Sequence, residues 1–85
     1  MFDLGKCLIT HLARDFFLED ATSTPLDLLR GHQDGSLWAH NREQNELAIL
    51  IGDRVFTSWK AQKETIFVIT EADRSCTTIC LASEY

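Results

Sequence analysis

The sequence predicts a small α+β domain of order β-α-α-α-β-β-β, with the helices packed on one face of a small antiparallel sheet. Three observations carry this reading. Apolar residues recur at helical spacing behind recognisable cap residues as far as Gly52. After Gly52 the period changes to two. The last three strands are joined by links of only about three residues, which favours a meander of antiparallel neighbours.

The elements follow in order. Lys6-Cys7-Leu8-Ile9 is short and apolar and reads as a first strand. Thr10 can cap a helix from His11 to Asp20, with Leu12, Phe16 and Phe17 on one face. Ala21-Thr22-Ser23 breaks that pattern. Thr24, Pro25 and Asp27 then open a second helix, whose face of Leu26, Leu28 and Leu29 ends at Gly31. The stretch from Gly31 to His40 reads as a loop turning at Asp34-Gly35-Ser36, anchored to the core by Leu37 and Trp38. Asn41 opens the third helix, with Gln44 in the capping-box position, an apolar stripe of Leu47, Ala48, Leu50 and Ile51, and Gly52 as the stop.

Beyond Gly52, Arg54–Lys60 alternates, with Val55, Thr57 and Trp59 on one side. Ala61-Gln62-Lys63 reverses the chain. Glu64–Thr70 is apolar on both faces, as a central strand is. Ala72-Asp73-Arg74 makes the second reversal, and Cys76–Leu81 is the last strand.

Composition bounds the function. Eighty-five residues make a single domain spanning 1–85, with 45% hydrophobic and 25% charged residues, near the globular average. Eight Lys+Arg against thirteen Asp+Glu give a net charge of −5. A self-sufficient nucleic-acid binder runs the other way. The acidity belongs to the part before Arg54, where four basic residues meet nine acidic ones. An acidic surface of this kind stays solvated or docks on a basic partner. With neither a basic leader nor a run long enough to span a bilayer, a cytoplasmic protein without membrane contact is expected.

Three cysteines do not suit a disulfide framework. Cys76 and Cys80 lie roughly 13 Å apart along one strand face, beyond the reach of a disulfide or a shared metal. Cys7 meets them only if its strand pairs alongside, and all three read as small buried apolar residues.

No constellation spells a reaction. His32, Asp34 and His40 match no metal-ligand spacing and read as surface groups of a polar loop. Glu71 and Asp73 flank the second reversal beside Arg74 and Ser75, but a wet hairpin tip tunes carboxylates poorly. There Asp73 is expected to cap the bend and Arg74 to pair with a neighbouring carboxylate. The same tip could present recognition residues. Ser75, Thr77 and Thr78 have no histidine near in sequence, and the glycines are too scattered to cradle phosphate. No catalytic residue, cofactor or metal is expected.

One resemblance runs through Gly5, Thr24-Pro25-Leu26-Asp27-Leu28-Leu29, Asn45-Glu46-Leu47-Ala48, Ile69-Thr70-Glu71-Ala72-Asp73-Arg74-Ser75, Thr77-Thr78-Ile79 and the terminal Glu84-Tyr85. With these the chain resembles a family of short proteobacterial proteins generally labelled "plasmid-related protein". The family's usual Pro-Glu-Glu-Tyr ending is here Ala82-Ser83-Glu84-Tyr85, and its tryptophan-glycine turn is here Gly35-Ser36-Leu37-Trp38. The resemblance implies an accessory protein of a mobile genetic element and no catalytic residues.

The expected function is thus a small non-enzymatic protein-binding protein serving such an element. Occluding a host defence, by an anti-CRISPR or antirestriction action, is its expected task. Its partner-binding residues are expected among Glu71, Asp73, Arg74 and Ser75 at the tip, Asp34 and Trp38 in the central loop, and Glu43 and Glu46 on the third helix, against a protein with a basic surface. The alternative is a plasmid-encoded regulator touching nucleic acid through Arg54, Trp59, Lys60 and Lys63. A homodimer in which the last strand pairs with a second copy is compatible with either.

Overall fold

The computed structural model describes residues 2–19, 24–39, 41–61 and 64–85. β1 (Lys6–Ile9) leads into α1 (His11–Glu19), α2 (Pro25–Asp34) and α3 (Arg42–Ile51). β2 (Val55–Lys60), β3 (Thr65–Thr70) and β4 (Cys76–Leu81) follow, with a final 3-10 turn over Ala82–Glu84. The α+β class and the element order are as predicted. The sheet is not purely antiparallel. Its order is β1-β4-β3-β2, and β1 runs parallel to β4 while the other pairs are antiparallel. Short links fix the direction of β2, β3 and β4 only. The three helices after β1 form a connection long enough for parallel pairing.

The strand registers put Val55, Thr57 and Trp59 on the same face as Ile66, Val68 and Thr70, and as Thr77, Ile79 and Leu81. Ala13 of α1 and Leu28 of α2 close over Ile66, Val68, Ile79 and Leu81. Ala48 of α3 packs with Phe2, Trp38 and Val55. All three helices therefore lie on one face, and each fully buried aliphatic side chain contributes about 1.5–3 kcal/mol. Among the described residues the opposite face carries no α-helix. Phe56 and Phe67 meet there at 4.7 Å between ring centroids, and Tyr85 folds back onto Phe67 at 5.6 Å.

Several boundaries depart from the prediction. α2 does not stop at Gly31 but continues to Asp34, and Gly35 is the left-handed cap, with φ 86°. Gly31 is a spacer instead, since a Cβ there would lie 2.4 Å from Leu37 Cγ. Thr24 and Asp27 form a full capping box. At α3 the expected box is missing, for Asn41 makes no side-chain cap bond and its Nδ2 donates to Gln44 Oε1 at 3.5 Å. In α1 the inward residues are Ala13, Phe16 and Phe17, and Leu12 is exposed. The breaks expected at Ala21-Thr22-Ser23 and at Gln62-Lys63 lie outside the described residues.

The extra turn of α2 carries His32 into the core, where it is 0% exposed, not into a polar surface loop. Its Nδ1 lies 2.6 Å from Thr57 Oγ1 and its Nε2 2.8 Å from Thr70 Oγ1. Thr70 Oγ1 is 2.6 Å from Thr77 Oγ1, which donates to the Leu4 carbonyl at 2.7 Å. A carbonyl only accepts, so the direction of the chain is set from that end. Thr77 spends its proton on Leu4, Thr70 donates to Thr77, and Nε2–H donates to Thr70. Nδ1 is left to accept from Thr57, so His32 is the neutral Nε2–H tautomer.

Burial pushes the His32 pKa from the ordinary 6.5 down to about 4. The unfolded chain therefore binds the proton more readily, so His32 withholds no stability above pH 6.5 and costs stability as pH falls from 6.5 to 4. The slope approaches 1.4 kcal/mol per pH unit and sums to about 3 kcal/mol. In an NMR titration of the folded protein the His32 imidazole should remain neutral at pH 5.5. A midpoint near 6.5 would refute the assignment.

Candidate protein-binding surface

The orientation of α3 is set by one side chain. Asn45 Nδ2 donates to the Phe56 carbonyl at 2.7 Å, and the Phe56 N–H donates to Asn45 Oδ1 at 2.9 Å. The amide thus pairs with the free edge of β2 as a neighbouring strand would. With Asn45 and Ala48 held inward, helical spacing turns the rest of the apolar stripe outward. Leu47 is 55% exposed, Leu50 82% and Ile51 62%. The stripe predicted to face the core instead faces solvent. At i, i+3 and i+4, these three side chains share one face, and Glu43 and Glu46, one turn back, flank it.

Beneath this face an open groove of about 270 Å³ runs between α3 and the start of β2. Leu47, Ile51 and Phe56 give it apolar walls, and Asp53 and Arg54 stand at its polar end. Arg54 is held there by the Tyr85 hydroxyl, at 2.9 Å, and by Glu71 Oε1, at 3.4 Å. The shape suits an apolar side chain offered by a partner. Scattered leucines on a surface need no explanation, but a helical stripe of them over a groove is a candidate interaction surface.

The β3–β4 tip lies against the same end of α3. Arg74 adopts a left-handed backbone with φ 61°. Its Nη1 donates to the carbonyls of Asp53 (2.6 Å), Glu71 (3.1 Å) and Ala72 (3.2 Å), and Nη2 to that of Ala48 (3.5 Å). Its guanidinium also sits 5.6 Å from the centre of the Phe2 ring. Among the described residues Arg74 therefore pairs with no carboxylate, contrary to expectation, and the ion pair to Glu71 belongs to Arg54. A cation over the last carbonyls of a helix is favourable, so Arg74 clamps the tip onto α3. Gly5, at φ 66°, completes the packing, because a Cβ would lie 2.4 Å from the Ser75 carbonyl oxygen. Asp73 Oδ1 accepts from the Ser75 N–H at 2.9 Å, and its hydrogen bonds with Ser75 lower its pKa.

Comparison with known protein families, curated proteins and solved structures gives no match. The surface must be read from its own chemistry.

Of the residues singled out in the sequence, the fold gathers Glu43 and Glu46 beside the exposed stripe and Glu71 at the end of the groove. Asp73 and Ser75 build the turn, and Arg74 is committed to backbone carbonyls. Asp34 Oδ1 accepts from the Ser36 N–H at 2.8 Å, which lowers its pKa. Trp38 is buried, its Nε1–H donating to the His32 carbonyl at 2.9 Å, and offers no surface to a partner. Sequence reasoning missed Leu47, Leu50 and Ile51 as surface residues. The signal was Asn45, a polar side chain at a position the helix buries.

The remaining constellations do not assemble. His40 lies outside the described residues, and His32 is engaged with threonines. Among the described residues no group of three or more His, Cys, Asp or Glu is placed to hold a metal ion, and no helix is long and apolar enough to cross a membrane. Trp59 and Lys60 alternate to opposite faces of β2, and Lys63 is outside the described residues. Cys7 is exposed rather than buried. Its register with Thr77 puts it on the face opposite Cys76 and Cys80, so the pairing of β1 with β4 does not bring the thiols together. Burial and the nearby Glu84 charge push the Cys80 thiol pKa up.

Replacing Arg74 by Lys keeps the charge but loses the planar fork. Chemical denaturation should show a loss of about 1–2 kcal/mol. Arg54→Lys, at an exposed pair, should stay within about 0.5 kcal/mol. Equal effects of the two changes would contradict the clamp.

Proposed function

We propose that this chain is a non-enzymatic protein-binding protein that engages a basic partner through the outer face of α3 and the groove below it. The observation that carries the reading is the exposed stripe of Leu47, Leu50 and Ile51 flanked by the carboxylates of Glu43 and Glu46. Apolar side chains in the centre with charge at the rim is the usual anatomy of a recognition surface. The rim carboxylates select a partner with a basic surface and speed its approach, while the leucines and the groove hold it. The resemblance to plasmid-related proteins supports a mobile-element accessory, and occlusion of a host-defence complex is the task we assign to it.

The test is affinity capture from the native host with wild-type protein and with Leu47→Ala/Leu50→Ala. Both positions are exposed, so folding should change by under about 0.5 kcal/mol per site. A basic protein captured by the wild type should be lost by the double variant. In binding assays on that protein, Glu43→Lys/Glu46→Lys should slow association about tenfold at low salt and flatten its salt dependence. Capture undiminished by the double variant would refute the reading.

A further inference from the structure

The last strand has no free edge, for β4 lies between β1 and β3. The open edges are those of β2 and β1, and they are treated differently. At β2 the Asn45 amide occupies the outward backbone groups of Phe56. At β1 nothing does so among the described residues. The Lys6 N–H donates to the Ser75 carbonyl at 3.0 Å and the Thr10 N–H to that of Ile79 at 3.1 Å. Alternation therefore points the N–H and C=O groups of Cys7 and Ile9 away from the sheet. All four residues of β1 are exposed, with Leu8 at 42% and Ile9 at 38%. Among the described residues no proline interrupts this edge, and its protections are limited to its shortness and to Lys6 at its start.

We propose that the protein forms a twofold homodimer by antiparallel pairing of β1 with β1 of a second copy, so that one sheet runs through both. The proposal stands independently of the α3 surface. The sequence of the strand is self-complementary about Leu8. Placing Leu8 opposite Leu8 of the second copy puts Cys7 against Ile9 and satisfies all the outward groups of both residues. Lys6 then meets Thr10 rather than another lysine.

Charge favours the same occupant. Thr10 Oγ1 donates to Glu84 Oε1 at 2.7 Å, so Lys6 of each copy arrives beside the carboxylate of Glu84 in the other. Two chains of net charge −5 repel, yet Leu4–Arg14 contains no acidic residue, so the copies meet where that repulsion is least. A short strand pair falls below the roughly 800 Å² per partner of a stable interface. Leu12, exposed three residues beyond Ile9, adds apolar surface on the helix side.

Sedimentation equilibrium of the full chain at micromolar concentration should give a dimer. Ile9→Pro removes an N–H that the monomer does not use, and should weaken dimerisation at least about tenfold with an unchanged circular dichroism spectrum. For a positive signature, Leu8→Cys in a Cys7→Ser background should form a covalent dimer under mild oxidation. Opposed residues of a non-hydrogen-bonded pair approach to about 4.5 Å between Cα atoms, within disulfide reach. Cys7→Ser alone should not cross-link. A wild-type monomer, a dimer in which Leu8→Cys fails to cross-link, or a dimer dissolved by Leu50→Lys but not by Ile9→Pro would each overturn the proposal.

Discussion

The fold hangs on a polar thread through its middle. From the Leu4 carbonyl through Thr77, Thr70 and His32 to Thr57, four hydrogen bonds link the N-terminal segment, β4, β3, α2 and β2. In an apolar core each of these groups would cost about 1–3 kcal/mol if left unpaired. Satisfied together, they admit one register for β2, β3 and β4 and one depth for α2, because a slip at any point strands its neighbours. A leucine core of this size would tolerate several packings. The threonine ladder beneath one imidazole narrows them, so α2 must bring His32 over the sheet centre and the loop after it must start at Gly35.

A side-chain amide then sets the outward face of α3. Asn45 fixes the rotation of α3 by pairing with Phe56, and the leucines left over are exposed as a result. Arg74 locks the opposite end of that helix to the hairpin tip. The tip is therefore a fastening more than a free recognition loop, and its proximity to Arg54 and Glu71 joins it to the groove. Position on α3, not chemistry at the tip, decides which carboxylates flank the exposed leucines.

Much of this was legible in the sequence and some was not, for identifiable reasons. Period-two patterning after Gly52 located β2 and β4 to within a residue, because a strand of alternating burial has few other solutions. The direction of β1 was hidden, since no local feature of Lys6–Ile9 records a partner seventy residues away in the chain. Gly31 misled because glycine serves both as a helix stop and as a gap for a neighbour, and only Leu37 distinguishes them. The stripe of α3 misled because periodicity gives the spacing of a face but not the direction it points. A polar residue paired to backbone, Asn45, outweighed three apolar ones. His32 was misread for the same reason as Gly31, since one more turn of helix moves it from surface to core.

The two edges of the sheet are unequal in the way the two ends of a polymerising monomer can be. A subunit with two open strand edges is bifunctional and can propagate into fibres, as heterologous contacts do. The Asn45 amide occupies the β2 edge at Phe56, whereas nothing among the described residues occupies the β1 edge. A monomer of functionality one couples once and terminates. In the proposed dimer, a single asparagine placed to turn a helix thereby also obstructs growth at the second edge.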